Sequence, residues 1–311
     1  MNQTNILRIG TRRSRLARAQ SEEVIDLLRT IRPEIYCRIE PITTTGDRLS
    51  QHNKNITEAG GKGLFVSEIE SALITGRIDL AVHSLKDIPL TPASGTVLGA
   101  VPRRLAPTDA LVTTARCALM NLPAGASVGT GSVRRSAQIM ALRRDLKIVP
   151  IQGNVETRLE KVRRRRIDAT LLAVAGLTRL GLTEEIDEEL PLEQMVPAAG
   201  QGALGLQIRS DDRRLADILD PLDHKPSRIA VEAERSLARR LGAHCRSSVG
   251  LFSQVRGVEM EMQAVVLSPD GDERIFIRNT APLVRRDELL ERIADELHHR
   301  GAKRLLDKAS G

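Results

Sequence analysis

The stretch that decides the fold is GGKGLFVSEIESALITGRIDLAVHS, residues 60–84. A glycine-rich turn comes first, and the apolar spacing after it predicts a helix that ends near Leu73. A short apolar run then predicts a strand over residues 78–82. Alternating helices and strands of this kind predict α/β layers with largely parallel sheets.

The same order of elements recurs on both sides of this stretch. Residues 6–9 are predicted to form a strand and residues 14–28 an amphipathic helix. Further along, strands are predicted at residues 127–129 and 147–151, each leading through a turn into a helix. The tripeptide Arg-Ile-Asp precedes an apolar run twice, at residues 77–79 and 166–168, which indicates two similar halves.

Prolines and a change of pattern predict domain boundaries. Pro102 and Pro107 suggest a first boundary, and Pro191 with Pro197 a second. Beyond Pro221 the pattern becomes a helix (227–241), two strand-like runs (259–267 and 273–278) and a helix (286–299), which predicts a third, α+β domain.

Composition restricts the class of partner. Lys and Arg exceed Asp and Glu by 47 to 40, so an anionic partner is expected. With no Trp, three Phe and one Tyr, the chain lacks the aromatic platforms of single-strand nucleic-acid binders, and it has no zinc-finger or RNP motif. The basic run at residues 163–166 is interpreted as a solvated helix face. We therefore expect no nucleic-acid partner.

Location is predicted from the cysteines and from apolar runs. The three cysteines are odd in number and far apart, which favours reduced thiols. No apolar run approaches the roughly 18 residues of a membrane span, and the N-terminal residues lack a secretory segment. A cytoplasmic protein with no membrane partner is expected.

Three predicted strand-to-helix turns carry cationic and hydroxyl side chains. Helix N-termini there direct N–H groups toward a bound anion, and guanidinium groups match carboxylates bidentately. The pattern therefore predicts a ligand with several carboxylates. The turns hold Thr11, Arg12 and Ser14; Thr130, Ser132, Arg134 and Arg135; and Asn154, Thr157 and Arg158.

Other interpretations of these turns stay open at this point. A nucleotide phosphate is disfavoured because GTGSVR lacks the third glycine of a dinucleotide-binding loop and GGKGLF lacks the Walker A spacing. Any single arginine is more often part of a solvated helix face. Lys62 and Lys86 add two further cations to the candidate set.

Three residues outside these turns are chemical candidates. Asp87 follows a predicted strand, so its carboxylate is expected near the binding site; taken alone it would be interpreted as a helix cap or a surface ion pair, but its context favours catalysis. His83 is interpreted as structural. Cys245 lies in a loop between His244 and Arg246, which favours the thiolate, while a buried inert cysteine is the alternative.

Seven segments together resemble the porphobilinogen deaminase (hydroxymethylbilane synthase) family, in the family's order and spacing. The resemblance covers nearly the whole chain. The segments are LRIGTRRSRLA (7–17), GGKGLFVSEIE (60–70), DLAVHSLKDIP (79–89), VGTGSVRR (128–135), GNVETRL (153–159), LLAVAGLTRLG (171–181) and VPAAGQGALG (196–205).

The resemblance implies two α/β domains like those of periplasmic binding proteins, with a cleft between them, and a smaller α+β third domain. The expected boundaries are residues 1–102 with 200–220 for domain 1, 103–199 for domain 2 and 221–311 for domain 3. It implies a monomeric transferase of tetrapyrrole (porphyrin and haem) biosynthesis. Such an enzyme condenses four porphobilinogen molecules, with loss of ammonia, on a dipyrromethane primer held by a cysteine thioether, and releases hydroxymethylbilane.

The resemblance also implies the role of each site residue. Asp87 is the expected catalytic acid, assisted by Lys86 and Arg12, and Cys245 is the expected attachment point of the dipyrromethane. The expected cofactor-binding set is Ser14, Lys86, Asp87, Thr130, Ser132, Arg134, Arg135 and Arg158. The expected substrate-binding set is Arg12, Lys62, Arg158, Arg179 and Gln201, and no metal is expected.

This chain departs from the family pattern near two of these groups. Gln152 stands where the family has an arginine, which predicts weaker cofactor or chain binding. Ala243 and His244 replace small residues before the cysteine, and Ser248 replaces a common proline. A slow paralogue, or a non-catalytic carboxylate-binding module on the same scaffold, is therefore the alternative function.

Overall fold

The computed structural model describes residues 6–51, 66–244 and 247–308. Its strands are β1 (Ile6–Arg12), β2 (Tyr36–Ile42), β3 (Leu80–Ser84), β4 (Thr96–Ala100), β5 (Asp109–Thr113), β6 (Ser127–Gly129), β7 (Lys147–Val149), β8 (Ala169–Ala173), β9 (Glu188–Leu190), β10 (Leu204–Arg209), β11 (Val249–Arg256), β12 (Glu259–Leu267) and β13 (Arg274–Pro282). Its helices are α1 (Arg15–Ile31), α2 (Thr45–Gln51), α3 (Ser67–Ile74), α4 (Val133–Leu142), α5 (Val155–Arg163), α6 (Val174–Arg179), α7 (Arg213–Leu219), α8 (Lys225–Arg240), α9 (Arg286–His299) and α10 (Ala302–Lys308).

These elements build three sheets, which confirms the predicted α/β class with an additional α+β part. The first sheet has the order β2-β1-β3-β10-β4 and the second the order β7-β6-β8-β5-β9. The third is β11-β12-β13 and is antiparallel throughout. Among the described residues, no helix is long and apolar enough to cross a membrane.

The expectation of largely parallel sheets is wrong. In the first sheet β1 pairs in parallel with β2 and β3, but β10 runs antiparallel to β3 and β4. The second sheet repeats this mixture, with β5 antiparallel to β8 and β9. Strand β10 comes from a distant part of the chain and is not joined to β3 by a helical crossover. No βαβ connection therefore requires β10 to run parallel to its neighbours.

The repeated Arg-Ile-Asp tripeptide has the same structural task in both halves. In the first sheet the carboxylate of Asp79 accepts a hydrogen bond from the N–H of Arg8, in β1 (2.9 Å). In the second the carboxylate of Asp168 accepts one from the N–H of Ser127, at the start of β6 (2.7 Å). Each aspartate thus lies directly before one strand and accepts a hydrogen bond from the backbone of the adjacent strand.

Two compact units contain these sheets. The first comprises Met1–Leu105 with Gly202–Arg228, and the second Ala106–Gln201 with Ile229–Gly311. The second unit thus includes both the second and the third sheet. The predicted boundaries of three separate domains stay a prediction.

Aliphatic side chains form the core of the first unit on both faces of its sheet. Ile9 and Leu80 pack with Val24 of α1 on one face. Ile69 and Leu73 of α3 pack with Ala81 on the other. Helices on both faces leave the strand ends as the accessible part of the sheet, and the candidate residues lie there.

The predicted elements are present with bounds that differ by a few residues, whereas several other elements were not predicted. Strand β3 begins at Leu80 rather than residue 78 and extends to Ser84, so His83 lies within the strand. Strand β11 was not predicted, because its apolar core GLF is only three residues long before polar residues follow.

Candidate active site

A small pocket of about 70 Å³ lies at the ends of β1 and β3 in the first unit. It brings together three of the predicted residues, Arg12, Ser14 and Asp87. It is lined by Arg12, Ser14, Leu16, Ala17, Gln20, Val66, Val82, His83, Ser84 and Asp87.

Helix α1 starts at this pocket because Ser14 caps it. The N–H of Ala17 donates to Ser14 Oγ (3.3 Å), and the Thr11 hydroxyl donates to the Ala17 carbonyl (3.1 Å). One turn later, the Gln20 amide donates to Ser84 Oγ (2.7 Å) at the end of β3. These bonds fix the hydroxyl groups that line the pocket.

Asp87 and Lys86 are presented by a single 3₁₀ turn, Leu85–Asp87, directly after β3. Leu85 is fully buried, its N–H donates to the Ala203 carbonyl (3.0 Å), and Ile88 is buried as well. Because these two apolar residues anchor the turn, the polar side chains between them remain partly exposed. Asp87 contributes to the pocket wall.

The guanidinium of Arg12 is held by a carboxylate that the sequence did not single out. Asp47 Oδ1 accepts from Arg12 Nη2 (2.5 Å) and Nε (3.0 Å). Burial opposes ionisation of Asp47, but its bonds to Arg12 and Thr44 outweigh burial and lower its pKa below the usual value. The pair keeps Arg12 in one orientation at the pocket wall.

His83 is a buried polar residue of the pocket lining. Its Nε2 is sealed from solvent and has no hydrogen-bond partner among the described residues. Burial lowers the pKa of His83 to about 4, although the charge of Asp87 and the neighbouring Gln207 act in the opposite direction. The imidazole is therefore neutral at physiological pH, so the pocket gains no cation from it.

Arg134 and Arg135 of the second unit share one buried carboxylate. Arg134 Nη2 lies 2.8 Å from Asp109 Oδ2, and Arg135 Nη2 lies 2.6 Å from Asp109 Oδ1. Asp109 is fully buried, and the arginines are 5% and 6% exposed. Burial would raise the pKa of Asp109, but the two guanidinium groups hold it well below its usual range. These three groups carry a net charge of one positive.

Backbone carbonyls and Gln201 complete this cluster. Arg134 Nη1 donates to the Val196 carbonyl (2.7 Å) and Arg135 Nη1 to the Leu171 carbonyl (2.9 Å). Gln201 Nε2 donates to Asp109 Oδ1 (3.0 Å) and to the carbonyl of Pro107 (2.7 Å). Burial lowers the pKa of Arg134, and Asp109 opposes that shift.

The two predicted turns of the second unit are helix N-termini. Ser132 caps α4, and its own N–H donates to Thr130 Oγ1 (3.1 Å). Asn154 caps α5 through the N–H and hydroxyl of Thr157 (2.9 and 2.7 Å). Arg158 bends back so that its Nε donates to the Gly153 carbonyl (3.0 Å). The hydroxyl and guanidinium groups thus lie where the sequence placed them, at strand-to-helix turns.

Comparison with known proteins adds the deciding observation. A family model described as "Porphobilinogen deaminase, dipyromethane cofactor binding domain" matches residues 7–217, and one described as "Porphobilinogen deaminase, C-terminal domain" matches residues 228–298. The chain belongs to the porphobilinogen deaminase family. The resemblance seen in the sequence is thereby confirmed, and so is the dipyrromethane as the family's cofactor.

Named relatives agree over almost their full length. A porphobilinogen deaminase of Desulforudis audaxviator is 44% identical over 298 residues, 96% of each chain. One from Chromobacterium violaceum is 43% identical over 298 residues, again 96% of each chain. Among solved structures, a TRAP periplasmic solute-binding protein of Desulfovibrio salexigens superposes with a TM-score of 0.42 at 11% identity, covering 74% of this chain and 75% of that one.

Cys245 and Lys62 lie outside the described residues, as does Arg246. Next to Cys245, His244 is exposed, and its N–H donates to Ser247 Oγ (3.0 Å). Arg179 occupies the last turn of α6 and is half-buried.

The departures from the family pattern leave unsatisfied polar atoms. Gln152 Oε1 is buried and has no hydrogen-bond partner among the described residues; it lies in the turn that follows β7, beside the turn that carries Thr130. Ser248 is fully buried, and its Oγ likewise has no partner within the part of the chain that the structure describes. Each such atom costs free energy on folding.

Sequence reasoning missed the carboxylates that hold the arginines. Asp47 was recognisable from Thr44-Thr45-Gly46-Asp47, which has the spacing of a capping box and therefore predicts a helix start at this position. Asp109 gave no such signal, because a buried ion pair between positions 26 residues apart leaves no local pattern. Gln20 was hidden among the polar positions of α1.

Proposed function

We propose that this chain is a porphobilinogen deaminase that condenses four porphobilinogen molecules head to tail and releases hydroxymethylbilane. Each addition breaks the bond between the substrate's methylene carbon and its amino nitrogen, which leaves as ammonia. A new carbon–carbon bond forms to the α-carbon of the preceding pyrrole, and the hydrogen on that carbon leaves as a proton.

The observation that carries this proposal is the buried cluster of the second unit. Two guanidinium groups share the single carboxylate of Asp109, so one positive charge is left without a counter-charge among these groups. A buried charge is costly unless it is paired. A ligand carboxylate would supply the missing charge, and each pyrrole of the substrate and cofactor carries an acetate and a propionate.

The same cluster tests whether the residues fit the cofactor. Ser132 and Thr130 place hydroxyl groups at the start of the helix that carries Arg134 and Arg135. This combination of hydroxyl donors, a helix N-terminus and excess cationic charge suits a dipyrromethane with several carboxylates. When bound, the dipyrromethane supplies the free α-carbon at which chain growth starts.

We assign the catalytic role to Asp87. Its partly exposed carboxylate lines the pocket of the first unit, where it would stabilise positive charge on a pyrrole nitrogen and assist proton transfer. Arg12, in the same pocket, binds a substrate carboxylate. Lys86, on the same turn as Asp87, supports both catalysis and cofactor binding.

The remaining assignments follow the family pattern. Cys245 holds the cofactor through a thioether. Ser14, Thr130, Ser132, Arg134, Arg135 and Arg158 bind cofactor carboxylates; Lys62, Arg158, Arg179 and Gln201 bind those of the substrate. We also propose that the protein acts as a cytoplasmic monomer on a small-molecule substrate, with no nucleic-acid or membrane partner, as its scarcity of aromatic residues and its separate cysteines suggest.

The test is turnover of porphobilinogen by protein made in a host that synthesises porphyrins. We expect ammonia release and hydroxymethylbilane formation from the wild type, and loss of both in Asp87→Asn. Asp26→Asn is the matched control, since Asp26 is an exposed carboxylate on α1 of the same unit. Binding of porphobilinogen without ammonia release by the wild type would instead support the non-catalytic carboxylate-binding module, and full activity of Asp87→Asn would remove Asp87 from the mechanism.

A further inference from the structure

Asp47 uses its two carboxylate oxygens for two different tasks. Oδ1 accepts both hydrogen bonds from Arg12. Oδ2 accepts from the hydroxyl (2.8 Å) and the N–H (3.3 Å) of Thr44, while the N–H of Asp47 donates back to Thr44 Oγ1 (3.2 Å). This reciprocal pair is a capping box at the start of α2.

The capping box determines where Arg12 can be. Because Oδ2 is fixed to the backbone at the helix start, the position of Oδ1 is set by α2 and not by the arginine. Arg12 is the last residue of β1, and the bonds to Asp47 restrict the rotamers of its long side chain. Side chains of the pair are 29% and 15% exposed, so the contact is shielded but borders the pocket.

We propose that Asp47 is a positioning residue that orients the Arg12 guanidinium for a carboxylate of porphobilinogen. The inference rests on the proposed function, because it takes porphobilinogen as the ligand of Arg12. Asp47 accepts hydrogen bonds from the Nε–Nη2 edge of the Arg12 guanidinium, so the opposite edge of the guanidinium faces away from α2. Pre-orienting a flexible cation lowers the ordering cost of binding.

A second arginine on β1 shows what an ordinary structural pair looks like in this unit. Arg8 Nη2 meets Asp79 Oδ1 (2.7 Å) and Arg8 Nε meets Asp79 Oδ2 (2.9 Å). That pair is a full fork in which both carboxylate oxygens serve the arginine. In Asp47, by contrast, one carboxylate oxygen accepts from Arg12 and the other is bonded to Thr44 at the start of α2. This arrangement is expected of a residue that holds the arginine in a fixed position.

The chain also contains a matched control for loss of a helix cap. Asp212 Oδ1 accepts from the N–H of Leu215 (3.0 Å) and so caps α7, while Asp212 Oδ2 accepts from Arg209 Nη2 (2.9 Å). Its side chain is 21% exposed. Asp212 thus combines a cap and an arginine contact as Asp47 does, in the same unit, but it does not line the pocket.

The experiment compares Asp47→Ala, Asp47→Asn and Asp212→Ala as cofactor-bearing full chains. For each, KM and kcat for porphobilinogen and the melting temperature are measured. We expect Asp47→Ala to raise KM roughly threefold to tenfold, with kcat changed by less than about twofold. Asp47→Asn keeps an acceptor oxygen and should recover part of that loss. Asp212→Ala should lower the melting temperature by a similar amount without changing KM.

An unchanged or lowered KM in Asp47→Ala would overturn the proposal, and so would an equal rise in Asp212→Ala. If Asp47→Ala fails to fold, Asp47→Asn decides: a KM equal to wild type together with a lowered melting temperature makes Asp47 purely structural. Failure of the proposed function is a separate outcome, since the wild type would then release no ammonia from porphobilinogen whatever happens at Asp47.

Discussion

Acidification from pH 7.5 to pH 5 should cost the folded state about 2 kcal/mol through His83 alone. The burial of this imidazole places its folded-state pKa at about 4, against an ordinary value of 6.5. Between these two values the unfolded chain binds a proton that the folded chain does not bind. Stability therefore falls as the pH falls through this window, and the loss reaches a ceiling of about 3 kcal/mol below pH 4.

The groups around His83 agree with a lowered pKa and so with a loss of stability as the pH falls. Asp87 and Gln207 favour the charged imidazole, Arg12 disfavours it, and burial exceeds them all. Glu70 of α3 accepts from the Gln207 amide through its Oε1 (2.8 Å). Among the described residues, the neighbours that act on His83 therefore do not compensate for its burial.

The assay is urea unfolding at pH 7.5, 6.5, 5.5 and 5.0 for the wild type, His83→Gln and His299→Gln. His299 is exposed and serves as the control. The wild type should lose about 2 kcal/mol more than His83→Gln over this range, while His299→Gln should follow the wild type. Parallel curves for the wild type and His83→Gln would refute the reasoning, because other groups would then account for the whole pH dependence.

Three further substitutions test the second unit by urea unfolding or kinetics. Asp109→Asn should destabilise the fold by about 3–5 kcal/mol, since it leaves two buried guanidinium groups without their counter-charge, whereas Asp145→Asn, which changes an exposed carboxylate, should cost far less; equal costs would contradict the buried pairing. Gln152→Arg should lower KM for porphobilinogen by restoring a cation beside the Thr130 turn, and an unchanged KM would show that this position does not meet a carboxylate. Ser248→Ala should be neutral or stabilise by about 1 kcal/mol because it removes a buried hydroxyl without a partner, and a clear loss of stability would indicate an essential hydrogen bond.

Local signals in the sequence predicted most of the elements. Helix α1 and its cap at Ser14 follow from apolar spacing and a capping serine, and α9 was predicted to the residue. The direction of β10 was not predictable, because pairing between β3 and β10 depends on chain returning from more than a hundred residues away. Local patterns carry no information on that return.

The candidate site was likewise predicted only in part. Ser132, Arg134 and Arg135 were recognised from the turn that holds them, yet their burial against Asp109 was not. The sequence suggested guanidinium groups facing a ligand, whereas the structure shows them already sharing a carboxylate. Side-chain orientation depends on tertiary packing, so it could not be read from turn chemistry alone.

The central claim is that a carboxylate-rich primer is bound covalently through Cys245, and intact-mass spectrometry tests it most directly. The wild type, made in a host that synthesises porphyrins, should exceed the mass of the bare polypeptide by one dipyrromethane. Cys37→Ser and Cys117→Ser, at the two half-buried free thiols, should keep that excess, and Cys245→Ser should lose it. A wild type at the bare polypeptide mass, or an excess that survives Cys245→Ser, would contradict the account.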